Sequence, residues 1–389
     1  MEGVFEKSDT FVMKTYKRFR VAFERGEGVY LYSLDGRRYL DFLAGIAVNT
    51  LGHSHEVVIR ALREQAGKLI HVSNLYYIKE QAELAQLLVE NSCCDRVFFS
   101  NSGAEANETA IKIARKWGNP DRFKILSFNN SFHGRTIATL ALTGQRKYQK
   151  GFEPFPEGFE YVNFNDFEDF EAKVDSRTAA VFVEFVQGEG GINVADREFI
   201  KSVYDYCKEN GILFIADEIQ TGIGRTGKLF AYEHYGVEPH IITLAKGIAS
   251  GLPMGATLAK GEVAEVLGFG DHGSTFGGNP LVSRVALDVL SFVIKEGLIE
   301  HAELLGDYLL KGLKKIAEEK DDIIRVDGLG LMVGVEFFDK QRADDVVKKA
   351  FENNLLLGKA GEKTVRLEPP LIVEKAHIDM VLEFFRQHI

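Results

Sequence analysis

Six short apolar runs, separated by segments of helical character, constrain this chain more than any other feature. They are "RVFFS" (96–100), "KILSF" (124–128), "AAVFVEFV" (179–186), "GILFIADE" (211–218), "IITLAK" (241–246) and "GATLAKG" (255–261). A strand with no polar alternation has no solvent face, so it belongs inside a sheet covered on both surfaces. The pattern predicts an α/β fold, a large domain with a mostly parallel sheet and helices on both faces. Ahead of it, "GVYLYSLDGRRYLDFLAG" (28–45) reads as two short strands around an Asp35-Gly36 turn. Past "STFGGNPL" (274–281) the pattern changes. Apolar residues at 281, 282, 285, 286, 289, 290, 293 and 294 have helical spacing. "DYLLKGLKKIAEE" and "ADDVVKKAFENN" read as helices, "IIRVDGLGLMVGVEFF" as paired strands, "VRLEPPLIV" as a strand and "HIDMVLEFFRQHI" as a closing helix. The expected division is an N-terminal segment (1–54) packing with the small domain, a large domain (55–275) and a smaller α+β domain (276–389).

Bulk properties remove several function classes. With 389 residues, the chain can bury a core that needs no disulfide or structural metal. A net charge of −10, from 57 acidic and 47 basic residues, argues against nucleic acid or an anionic membrane as partner. Three cysteines without a CxxC pair make neither a disulfide framework nor a metal site, and no metal is expected. The opening "MEGVFEKSDTFVMKTYKRFR" has no apolar signal segment, and no run approaches the ~20 residues that cross a bilayer. A reduced, cytoplasmic protein is expected.

In doubly wound sheets, ligands bind where the strands end. In "FFSNSGAEANE", Ser102, Gly103 and Ala104 sit at a strand-to-helix junction, where backbone N–H groups and the helix dipole favour a phosphate; an ordinary helix cap is the plainer reading. "LSFNNSFHGRT" places Phe132, His133 and Arg135 past another strand, where Phe132 can stack on a planar ring and Arg135 can clamp a carboxylate. Asp217 follows five apolar residues and needs a partner, because an unpaired buried carboxylate is costly. "GIGRTGK" (222–228) matches part of a P-loop, but Leu229 stands where Ser or Thr would reach Mg²⁺, so it is read as a flexible loop. Lys246 ends an apolar run with no acid beside it, 29 residues after Asp217, a distance that fits one crossover to a parallel strand. A lysine, a buried aspartate, a stacking aromatic and a phosphate cradle together make the binding set for pyridoxal phosphate. Once its amine is joined to the cofactor, the lysine needs no carboxylate.

The chain resembles the class III, fold-type-I pyridoxal-phosphate aminotransferases from about residue 15 onward. The motifs are "YLDFLAGIAVNTLGHSH" (39–55), "SNSGAEANE" (100–108), "SFHGRT" (131–136), "FVQGEGGI" (185–192), "ADEIQTGIGRTG" (216–227), "LAKGIASGLPMGA" (244–256), "GSTFGGNPL" (273–281) and "VRLEPPLIV" (365–373). The resemblance implies that Lys246 carries pyridoxal 5'-phosphate and moves the proton, and that Asp217 pairs with the pyridine nitrogen. It implies cofactor contacts from Ser102, Gly103, Ala104, Phe132, Glu218 and Gln220. Thr275 would reach the phosphate of a partner subunit in a homodimer, with Ser274 near substrate. Arg135 would take a substrate carboxylate, and Glu189 and Arg366 would form a switch pair. The implied reaction passes the side-chain amino group of N2-acetylornithine to 2-oxoglutarate in arginine biosynthesis. Relatives that use succinylornithine, ornithine, 4-aminobutyrate or carrier-bound lysine share nearly all these motifs. A mutase, racemase or decarboxylase on the same scaffold, and a nucleotide-binding protein built on "GIGRTGK", are the rival classes.

Overall fold

The computed structural model describes all 389 residues. Its centre is a seven-stranded sheet in the spatial order 96–100, 255–259, 241–244, 213–217, 178–183, 124–128, 159–162. All neighbours are parallel except Gly255–Ala259, which runs antiparallel to both strands beside it. The apolar runs behave as strands buried on both faces. Along Leu213–Asp217, Leu213 and Ile215 pack into one apolar cluster and Phe214 and Ala216 into the other, the two-residue period of a strand. The helix Gly103–Gly118 covers the first face through Ala110, Ile111, Ile113 and Ala114. The helix Arg197–Asn210 covers the second through Phe199, Ile200, Val203 and Cys207.

The predicted hairpin is present: Tyr30–Ser33 pairs antiparallel with Arg38–Asp41, and Gly36 takes φ +82° in the turn. An unanticipated strand, Phe23–Glu27, precedes it, and Leu355–Leu356, from near the other end of the chain, closes this sheet in parallel with Arg38–Asp41. A third sheet has the order 323–329, 332–337, 364–367, 358–360. The helices Pro280–Lys295, Leu298–Ala317, Lys340–Glu352 and Lys375–His388 complete the C-terminal part. No helix is long and apolar enough to cross a membrane.

The segment 222–227 is not the flexible loop its glycines suggested. Every residue in it is buried. Arg225 Nη1 donates to Leu331 O at 3.0 Å and to Pro369 O, and Leu331 N–H returns a bond to Arg225 O at 3.0 Å. Burial moves the Arg225 guanidinium down to about 10, with Glu368 opposing the shift. Glycines permit close packing here. A Cβ on Gly330, which has φ +53°, would lie 2.4 Å from Thr226 C, and one on Gly306 would lie 2.1 Å from Gly330 C. The helix Leu298–Ala317, the Gly330 turn and the loop beyond Asp217 are thus stacked backbone on backbone. Gly306→Ala pushes a methyl into main chain that cannot rotate away, so it should lower stability by about 1–3 kcal/mol. Denaturant unfolding of the variant checks this, and an unchanged midpoint would mean the contact is not tight.

Candidate active site

The strands 178–183, 213–217 and 241–244 end at one edge of the sheet, and a cavity of about 440 Å³ opens there. It is lined by Ser102, Gly103, Ala104, Phe132, Arg135, Glu189, Asp217, Gln220 and Lys246 among others. Asp217 and Lys246 both line this cavity because their strands are adjacent and parallel, with Asp217 in register with Thr243.

Asp217 is 4% exposed, and its carboxylate makes three hydrogen bonds. Asn107 Nδ2 donates to Oδ2 at 2.8 Å, His133 Nδ1 lies 2.7 Å from the same oxygen, and Ile219 N–H donates to Oδ1 at 3.1 Å. The cost of burying this carboxylate is met by three donors from three elements. His133 Nε2 and Asn107 Oδ1 remain without partners.

Lys246 opens a short 3₁₀ turn with φ +43°, an unfavoured value for a side-chain-bearing residue. Burial pushes its amine down; Glu189, Glu368 and Asp217 oppose that shift, and Arg366 adds to it. Glu184 also lines the cavity and accepts a bond from Phe132 N–H at 3.0 Å. Burial, and then the neighbouring Asp217, push its carboxyl well up, which favours the protonated acid.

Ser102 caps the helix Gly103–Gly118, its Oγ accepting from Glu105 N–H at 3.2 Å, and Ser102, Gly103 and Ala104 at this helix N-terminus line the cavity. Gln220 presents an amide whose nitrogen and oxygen are both buried without a partner. Gly188 leaves room for the amide in this position, since a Cβ there would lie 1.4 Å from Gln220 Oε1. Arg135 stands at the mouth, its guanidinium 4.0 Å above the Tyr148 ring and 5.4 Å from the Phe132 ring centre. Arg366 is 4% exposed and its Nη1 donates to Glu189 Oε1 at 2.6 Å. Burial pushes Glu189 up, but Arg366 and Lys246 outweigh it and hold the carboxyl below its ordinary value.

Four sequence-predicted residues stand apart from the cavity wall. Arg366 does not line it and reaches it through Glu189. Thr275 is exposed and does not line it. Ser274 accepts from Asn101 Nδ2 at 3.1 Å and so touches the wall only through Asn101. Glu218 was expected beside the cofactor, but its carboxylate is turned away, accepting from Thr221 Oγ1 and from Tyr232 N–H at 2.9 Å. Four residues went unassigned in the sequence: Asn107, Glu184, Tyr148 and Glu368. Glu184 carried a readable signal, a charge inside an apolar run, which is the argument that singled out Asp217.

Comparison with known proteins gives this geometry its class. The aminotransferase class-III family model matches residues 11–389, and the chain belongs to that family. It is therefore a pyridoxal-phosphate-dependent transaminase acting on amino and keto acids. It is 48% identical over 377 residues to the acetylornithine aminotransferase of Caldanaerobacter subterraneus subsp. tengcongensis, covering 96% of this chain and 95% of that one. It is 48% identical over 387 residues to the acetylornithine aminotransferase of Methanocaldococcus jannaschii, covering 98% and 96%. The crystal structure of the ornithine aminotransferase from Toxoplasma gondii superposes with a TM-score of 0.95 at 35% identity, covering 99% of this chain and 94% of that one. The residues fit the cofactor: an amine, a fixed carboxylate, an aromatic ring, a capped helix N-terminus and an unpartnered amide converge on one cavity.

Glu218 gives a stability test. Burial raises its carboxyl from 4.5 to about 7. The folded protein therefore holds this proton more tightly than the unfolded chain does. That contribution is complete below about pH 4.5 and is lost as pH rises through about 7, a change of roughly 3 kcal/mol. Glu218→Gln removes the titration, so the melting temperature of the variant relative to the parent should climb from about pH 5 to about pH 8. A flat difference across that window would contradict the assignment.

Proposed function

We propose that the protein exchanges the side-chain amino group of N2-acetyl-L-ornithine with 2-oxoglutarate, giving N-acetyl-L-glutamate 5-semialdehyde and L-glutamate, a step of arginine biosynthesis. The observation that carries this reading is the pair of arginines at the site: Arg135 open at the mouth, and Arg366 buried and already neutralised by Glu189 at 2.6 Å. The 48% identity to proteins named for acetylornithine supports the donor. The likeness to an ornithine aminotransferase makes ornithine the second candidate.

When bound, pyridoxal phosphate supplies an aldehyde that takes up amino groups and a ring that withdraws charge from the carbon losing its proton. The helix N-terminus at Ser102, Gly103 and Ala104 would hold its phosphate. Phe132 would lie against its ring, Gln220 would satisfy its phenolic oxygen, and Asp217, fixed by three donors, would keep the ring nitrogen protonated. Lys246 Nζ, its amine pushed down by burial, takes a proton from the substrate carbon and returns it, work suited to a lysine held below its ordinary range. Thr275 is exposed in the single chain, with Phe276 at 60% and Tyr77 fully exposed. We take this face as the place where a second copy docks and lends Thr275 to the partner cavity, with Ser274 beside substrate. The three cysteines are free, in keeping with a reducing, cytoplasmic setting. The division of the chain at residues 55 and 276 belongs to the same reading.

A panel of amino donors with 2-oxoglutarate as acceptor tests the assignment. N2-acetylornithine should give a kcat/KM at least about tenfold above ornithine, succinylornithine and 4-aminobutyrate, a difference of about 1.4 kcal/mol in transition-state binding. A preference for free ornithine would replace the proposed donor, and failure of 2-oxoglutarate to accept the amino group would remove the reaction class.

The two substrates differ at the carbon that reacts. Acetylornithine brings an amine on a methylene chain, and glutamate brings an amine with a carboxylate beside it. Glu189 would cover Arg366 in the first case and swing out in the second, while Arg135 holds the distal carboxylate of either substrate. Glu189→Ala should slow the acetylornithine half-reaction several-fold and leave the glutamate half-reaction equal or faster. Single-turnover absorbance separates the two, and equal slowing of both would rule out the switch.

A further inference from the structure

Arg366 faces a second acid. Glu368 follows it by two residues, so both side chains leave the chain on the same side. Arg366 Nε lies 3.8 Å from Glu368 Oε2, beyond hydrogen-bond reach. Glu368 is fully buried, and neither of its carboxylate oxygens has a hydrogen-bond partner. Arg366 Nε is likewise buried without an acceptor. Two unsatisfied groups of opposite charge thus face each other, one short movement from bonding.

The two acids on Arg366 differ in freedom. Glu189 lies between Gly188 and Gly190, with its side chain 22% exposed at the cavity. Glu368 precedes Pro369 and Pro370, and its own N–H donates to Phe42 O at 2.7 Å. Two other cations lie near Glu368: Arg225, whose Nη1 is committed to the carbonyls of Leu331 and Pro369, and Lys246. Arg366 therefore has one mobile counter-ion and one fixed counter-ion. The charges of Glu368 and Glu189, and the hydrogen bond to Glu189, all oppose the effect of burial on the guanidinium.

We propose that Glu368 is the standing counter-ion of Arg366: it takes up the Nε–H when Glu189 withdraws, and it sets how strongly the arginine holds a substrate carboxylate. A buried guanidinium with no acid beside it would be costly to uncover and would release a bound carboxylate slowly. With Glu368 in place, the opened arginine is neutralised and its grip is moderated. Glu368 is a positioning and specificity-determining residue for dicarboxylic substrates.

The inference rests on the reading that Arg366 receives a substrate carboxylate, and a double-mutant cycle tests the two separately. Two unreactive ligands are titrated into the cofactor-loaded enzyme by calorimetry: glutarate, with two carboxylates, and N-acetylnorvaline, the acetylornithine skeleton without its terminal amine. Arg366→Ala should weaken glutarate at least tenfold; unchanged affinity would remove the parent reading. In a Glu189→Ala background, adding Glu368→Gln should tighten glutarate at least tenfold, because the arginine is then bare. With Glu189 present, the same change should shift glutarate less than threefold, since one carboxylate merely replaces another. N-acetylnorvaline, which brings no charge to Arg366, should move less than twofold in both backgrounds. Equal effects of Glu368→Gln with and without Glu189, or parallel shifts for the two ligands, would overturn the proposal and leave Glu368 a packing residue. Glu368→Leu serves as a second uncharged variant with the same expected tightening, and loss of folding in both would likewise overturn it.

Discussion

Taking charge out of water is the cost around which this site is built. Lys246, Asp217, Glu184, Glu189, Arg366 and Glu368 lie in or behind one cavity, and an isolated ion there would be unfavourable by several kcal/mol. Glu368 keeps both carboxylate oxygens without a hydrogen-bond partner, and the other five meet the cost in their own ways. Asp217 collects three hydrogen-bond donors. Glu184 is pushed toward its neutral acid. Glu189 and Arg366 answer each other. Lys246 has no acid beside it in sequence, but the fold brings Glu189, Glu368 and Asp217 near enough to oppose the effect of burial on its amine.

Holding these groups together falls to a segment far from them in sequence. Residues 44, 46 and 47 take positive φ, which is strained for alanine and more so for isoleucine. Just beyond them Thr50 Oγ1 donates to Gly247 O at 2.8 Å, and Leu51 N–H donates to Ser250 Oγ at 3.1 Å, clasping the turn that carries Lys246. The same segment reaches the third sheet: Glu368 N–H donates to Phe42 O at 2.7 Å, and Leu371 N–H to Thr50 O at 2.9 Å. Lysine turn and arginine strand are therefore positioned by one stretch of backbone, and strain of this kind persists where surrounding contacts over-determine it.

What could be read from the sequence follows from which signals are local. Buried parallel strands write themselves as apolar runs, and the six runs all supply strands of the central sheet. The edge strand Phe159–Val162 escaped because it carries Glu160 and is only half covered. Asp217 and Lys246 were legible as charges that end apolar runs. Glu184 made the same statement but was hidden, because its run spans a strand end at Val183 and a second strand at Val186. Asn107 gave no sign, since a polar residue inside a helix is ordinary until the aspartate beneath it is known. The glycines of "GIGRTG" suggested freedom, but they serve tight stacking against Gly330 and Glu303. Glycine marks close approach as readily as mobility, and only the tertiary partner tells which.

The placement of the two arginines bears on how one cavity handles unlike substrates. Arg135 stands at the mouth over two aromatic rings, where water and salt weaken its field, so on the proposed reading it can hold a carboxylate common to both substrates without discriminating. Arg366 is 4% exposed, and its field is screened by little except its own counter-ions. Left bare, it would attract any carboxylate and penalise any methylene chain placed against it. Discrimination at that end therefore cannot come from the arginine alone. It has to come from whether the arginine's charge is already taken, and by an acid that can leave or by one that cannot.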